Sequence, residues 1–149
     1  MHTIIQKIYN DIEIRRWDQF QTTSIKEVIA RVSKKTGLPT YFFNYPSELN
    51  NLGGEWRIFL NQNQNEEQIW QDYGKKIGVY ICYHLFLDGK ATDELKDFFY
   101  YFCVPQFLLE QVPLSEYKHD EEFFTKEIAR IFHVDYKFAE SRIRLICAS

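Results

Sequence analysis

The sequence predicts an α+β fold, with a small antiparallel sheet packed on helices and a C-terminal helical hairpin closing the chain. Three observations carry this. Apolar residues recur at helical spacing over 24–36, 66–87 and 121–146. Two runs between the first and second of these, 40–45 and 55–61, are short, aromatic and β-branched, as strands are. The chain of 149 residues is 45% hydrophobic and 17% aromatic, with 13 Phe and 10 Tyr, enough to fill one core largely with rings. Residues 1–149 therefore read as a single domain.

The bulk figures also exclude functions. A net charge of −3 gives no basic field for nucleic acid over the chain as a whole. Cys82, Cys103 and Cys147 are scattered, odd in number and without a CxxC pair, which argues against both a metal knuckle and a secreted disulfide frame. The start, "MHTIIQKIYNDIEIRRW", carries charges throughout and lacks the apolar block of a signal peptide. Apolar runs fall far short of the roughly 20 residues that span a bilayer. The expectation is a reduced, cytoplasmic protein with no membrane contact; the resemblance given below implies a bacterial host cell.

The first helix read from the pattern is "SIKEVIARVSKKT" (24–36). Ser24 is its N-cap, Glu27 three residues on suggests a capping box, and Gly37 supplies the C-terminal stop. "TYFFNY" (40–45) and "EWRIFLN" (55–61) read as a hairpin or as two neighbouring antiparallel strands, with "PSELNNLGG" as turn. "NQNQNEEQ" is a polar entry to a long helix, 66–87, closed by Asp88-Gly89-Lys90. "ATDELKDFFYYFCVP" (91–105) follows as a helix with Thr92 as N-cap and Pro105 as stop; "QFLLEQV" (106–112) is a short helical turn. In the last block Phe124, Ile128, Ile131 and Phe132 form one helical stripe. Asp135 caps the next helix, which carries Phe138, Ala139, Arg142, Ile143 and Ile146.

The long helix poses the functional question. Zinc peptidases place two His at i and i+4 on such a helix, a Glu between them to polarise the bound water, and a third carboxylate ligand on the next helix. "IWQDYGKKIGVYICYH" has the helix without those residues. Three segments nevertheless resemble the ImmA/IrrE type of zinc metallopeptidase found on phages and integrative elements. "IWQDYGKKIGVYICYH" resembles its W-x-D-F-x-H-E-x-x-H helix, matching at Trp70, Asp72, Tyr73, Gly78 and His84. "DELKDFFYYFCVPQFLL" is similar to its next helix at Phe98, Phe102, Pro105 and Leu109. "TKEIARIFHVDYKFAESRI" resembles the terminal pattern that ends in A-x-x-R. The resemblance implies a zincin-like architecture. It puts Lys75 at the first His position, Lys76 at the general-base Glu, Val79 at the second His, and Thr92, beside Asp93 and Glu94, at the third ligand.

A lysine ammonium has no lone pair and valine has no donor atom, so the degenerate site is expected to hold no zinc or other cofactor and to do no catalysis. Lys75 or Lys76 paired with Asp93 or Glu94 would tie together the helices that zinc ties in the relatives. Exposed, such a pair contributes about 0–1 kcal/mol, against ~10 kcal/mol or more for a structural zinc. The aromatic core would then have to carry the fold. The other reading of the two lysines is a solvated face.

The implied function is a catalytically inactive, peptidase-like regulator of a phage or prophage element that binds a partner protein such as a repressor or anti-repressor. Two alternatives remain. One is a metallopeptidase with a rearranged site, for instance His84 with Asp93 or Glu94. The other is a helix-turn-helix DNA regulator acting through 121–146. Over 117–149 six basic residues meet six acidic ones, which makes nucleic acid the weaker partner.

Overall fold

A computed structural model describes residues 1–85, 96–113 and 120–147. In chain order the elements are α1 (His2–Asp11), α2 (Trp17–Thr22), α3 (Ile25–Thr36), β1 (Thr40–Phe43), β2 (Glu48–Leu52), β3 (Glu55–Asn61), α4 (Glu66–Leu85), α5 (Phe98–Cys103), α6 (Gln106–Leu109), α7 (Glu121–Phe132) and α8 (Tyr136–Cys147). The α+β class holds.

The first two helices are additions to the sequence reading. α1 buries Ile5, Ile8 and Tyr9 on one stripe. It stops where Glu13 takes φ +64° and Ile14 N–H turns back to the Tyr9 carbonyl at 3.0 Å. In α2 the Gln19 Oε1 accepts both Arg15 and Arg16 N–H, at 2.9 and 3.0 Å, and Phe20 is wholly buried. α3 follows its pattern. Ser24 Oγ accepts Glu27 N–H at 3.2 Å, and Gly37 ends the helix at φ +70°. The Glu27 carboxylate pairs with Arg31 one turn on at 3.0 Å.

The sheet corrects the expectation. Its order is β1-β3-β2, with β1 parallel to β3 and β2 antiparallel to β3, so it is mixed and 40–45 does not pair antiparallel with 55–61. The cause lies in the segment read as turn. "ELNNL" is itself a strand, and Gly53 and Gly54, at φ +63° and +88°, make the two-residue turn that pairs it with β3. With β2 as the returning strand, β1 and β3 must run the same way, and β3 takes the centre.

The two sheet faces differ. Ile58 and Leu60 point into the core with Phe42, Leu49 and Trp56 beside them. Tyr41, Phe43, Tyr45 and Phe59 form a ring ladder on the opposite side, with centroids 5.3–5.7 Å apart.

The core is built on rings, as the composition implies. Phe20 lies 5.7 Å from both Trp70 and Phe132, Trp70 lies 5.4 Å from Phe102, and Tyr9 lies 5.9 Å from Phe102. Each such pair contributes about 0.5–1.5 kcal/mol beyond its area burial. Of the helix read over 91–105, α5 covers Phe98–Cys103 and residues 96–97 are turn. The Thr92 cap and the Asp88-Gly89-Lys90 stop lie outside the described residues.

Candidate functional site

α4 carries the positions in question, and its sequence dictates its faces. Asn65 Oδ1 accepts Gln68 N–H at 2.9 Å, and Glu66 and Glu67 sit at the positive end of the helix dipole. Glu66 also accepts Ile25 N–H at 3.2 Å, which ties the start of α4 to α3. Ile69, Trp70, Tyr73, Ile77 and Ile81 fill the core stripe.

Gly74 and Gly78, one turn apart, form the face that meets α5. A Cβ on Gly74 would stand 2.6 Å from Cys103 Sγ, and one on Gly78 would stand 2.9 Å from Phe98 Cδ1. Neither glycine has a positive φ. They are needed for space: they let α5 approach until Phe98 and Phe102 lie against the α4 backbone.

Of the positions singled out in the sequence, Lys75, Lys76 and Val79 flank this seam. Lys75 is exposed, with its Nζ 5.4 Å from the Phe99 ring centroid, a cation–π contact with a side chain of α5. Lys76 is half-buried and Val79 is 57% exposed. Thr92, Asp93 and Glu94 lie outside the described residues. Neither lysine has a carboxylate within ion-pair distance among the described residues. Among those residues, no three His, Cys, Asp or Glu side chains converge on one point.

His84 is an exposed rim residue. Its Nδ1 lies 2.9 Å from the Tyr80 carbonyl, and its ring packs against Tyr80 and Trp56. Cys103 offers no nucleophile. Burial pushes its thiol well up, the nearby Lys75 charge only partly offsets this, and its S–H points at the Trp70 carbonyl at 3.5 Å.

The end of α5 is held by side chains from three other helices. A helix leaves its last carbonyls without partners, and here three successive ones are capped. Tyr9 Oη of α1 donates to the Phe102 carbonyl at 2.6 Å. Trp70 Nε1 of α4 donates to Cys103 at 3.3 Å. Arg142 Nε of α8 donates to Val104 at 2.9 Å. The α4–α5 pair is thus fixed by carbonyl caps and by glycine-spaced packing.

Asp72, a matched position of the resemblance, and two other polar residues, Gln71 and Asp135, are joints. Asp72 Oδ2 accepts Ser47 Oγ at 2.7 Å and Gln64 Nε2 at 2.8 Å, and so holds two loops against α4. Gln71 and Asp135 exchange two bonds, Asp135 N–H to Oε1 at 2.9 Å and Nε2 to Oδ2 at 3.0 Å. Asp135 also caps α8 through Phe138 N–H at 2.8 Å, as its position predicts. The α7–α8 turn passes through His133 at φ +57°. α8 turns Phe138, Ala139 and Arg142 into the core, and Glu140 is taken by Arg144 at 3.1 Å. The hairpin therefore packs as part of the fold. Sequence reading grouped Arg142 with the apolar residues of this helix but missed its role, as it missed Tyr9. A cap is a contact between elements 38 or 93 residues apart and leaves no local periodicity.

No helix of the described residues is long and apolar enough to cross a membrane. The chain is similar to the phage-like element PBSX protein XkdA of Bacillus subtilis (strain 168), at 28% identity over 121 residues, covering 76% of this chain. It spans 59% of the length of that protein. No family model matches the chain. No solved structure matches it either.

Proposed function

We propose that the chain is a regulatory protein of a phage or phage-like element. In this reading it keeps a zincin-like scaffold of the ImmA/IrrE type without the metal site, and acts by binding a partner protein such as a repressor or anti-repressor. The carrying observation is chemical. The three α4 positions that need two imidazoles and a carboxylate hold Lys75, Lys76 and Val79, and Lys75 rests over Phe99. The likeness to a protein of a phage-like element supports the setting. The caps on α5 support this reading, because they hold α5 to α1, α4 and α8 by contacts that need no metal.

The test is to mix the purified chain with the repressor encoded by the same element. The expected result is a complex that co-elutes on size exclusion, with the repressor intact and unchanged by chelator. Chelator-sensitive cleavage of the repressor would replace this reading with a working peptidase. Salt-sensitive binding of duplex DNA by the chain alone would favour a DNA regulator.

A further inference from the structure

Among the described residues, Arg142 is a buried cation without a counter-ion. It is 0% exposed, and the partners it has there are neutral: the Val104 carbonyl, Gln106 Oε1 at 2.7 Å, and the Tyr101 ring at 4.6 Å. No carboxylate lies within ion-pair distance of it among the described residues, and NH1 has no hydrogen-bond partner there. Fully buried arginines are rare unless paired, and an unpaired guanidinium in a low-dielectric interior is costly. Burial pulls its pKa down to about 10.

A cleft of about 170 Å³ adjoins this group, lined by His2, Ile5, Gln6, Gln106, Phe107 and Glu110. Two of its neighbours separate it from the cation. Gln106 accepts from Arg142 and donates from Nε2 to Glu110 at 3.0 Å. Tyr101 lies with its face on the guanidinium and meets the His2 ring edge-on at 4.7 Å. Arg142 and Glu110 pull on His2 in opposite senses: burial and Arg142 lower its pKa, and Glu110 raises it.

We propose that this cleft binds a small carboxylate, with Gln106 swinging aside so that Arg142 becomes its counter-ion. Nε stays on the Val104 carbonyl. The NH1 protons, and the NH2 protons once Gln106 has moved, form an end-on fork that fits the two oxygens of a carboxylate. Ile5 and Phe107 give the ligand's stem an apolar wall. The volume equals roughly six waters at about 30 Å³ each, which suits a short aliphatic acid. A free acid and a carboxylate carried at a chain end share this chemistry.

The experiment titrates the intact protein with butyrate at constant ionic strength and follows amide chemical shifts. Butyramide is the neutral control, and a tripeptide acid beside its amide tests the chain-borne source. The expected result is saturable shifts at His2, Gln106 and Glu110 with one or both acids and none with the amides. Glu110→Gln should tighten binding several-fold, because it removes the opposing charge and keeps a partner for Gln106. Arg142→Met should abolish binding; if that variant fails to fold, the Glu110→Gln gain remains the deciding reading. Absence of saturable shifts with either acid, in both wild type and Glu110→Gln, would overturn the proposal, as would equal responses to acid and amide.

Discussion

Substituting Gly74 by alanine tests the α4–α5 seam, and its sign should depend on a residue 29 positions away. In a helix interior Gly→Ala gains about 1 kcal/mol from backbone entropy and solvation. Here the new Cβ would stand 2.6 Å from Cys103 Sγ, well inside contact. Cys103 is wholly buried, flanked by Trp70 and Phe102, so its sulfur has little room to move. Overpacking of this kind costs typically 1–3 kcal/mol. Gly74→Ala should therefore lose about 0–2 kcal/mol net. In a Cys103→Ala background the sulfur is gone, and the next neighbours, Phe99 Cβ at 3.5 Å and Phe102 Cδ1 at 3.6 Å, are ordinary contacts. The same substitution should then stabilise by about 1 kcal/mol. Urea unfolding of the four proteins of the cycle, followed by Trp fluorescence, gives the coupling, expected at about 1–3 kcal/mol. If Gly74→Ala stabilises equally in both backgrounds, the helices do not approach as described.

Other consequences are measurable. Tyr9→Phe removes the 2.6 Å bond to the Phe102 carbonyl and leaves that carbonyl buried without this donor, so urea unfolding should show a loss of about 1–3 kcal/mol. Burial raises the phenol pKa of both Tyr9 and Tyr73. Their stabilisation is complete below pH ~10, where unfolded tyrosine is still protonated, and is lost as pH rises through the folded values. Absorbance titration at alkaline pH should show these two ionising only as the protein unfolds. Cys103 should resist thiol reagents in the native state, because it is buried and its pKa is raised, while half-buried Cys82 reacts first; mass spectrometry of partially labelled protein decides.

Much of this fold was legible where structure is local. Ser24, Gly37 and Asp135 do what their residue types predict, and the helical stripes of α3, α4, α7 and α8 bury the side chains their periodicity selects. The sheet was misread at "PSELNNLGG" because the polar residues of β2 mask a strand that only its pairing with β3 defines. The paired glycines at its end were the available signal. α1 was missed although Ile5, Ile8 and Tyr9 stand at helical spacing, and α2, at 6 residues, is too short to show a period. At the site, that Lys75, Lys76 and Val79 offer no zinc donor was readable from residue chemistry alone. The contacts that join α4 to α5 were not. The caps from Tyr9, Trp70 and Arg142, and the fit of α5 over Gly74 and Gly78, are contacts across the fold that no single stretch announces.

The central claim is a peptidase-like scaffold whose ligand positions on α4 are chemically empty. Metal analysis of the wild-type protein beside a Lys75→His, Lys76→Glu, Val79→His triple variant tests it most directly, with circular dichroism confirming that both are folded. The account predicts no stoichiometric zinc in the wild type and one tightly held zinc per chain in the variant. Stoichiometric zinc in the wild type, or a folded variant that still binds none, would contradict it.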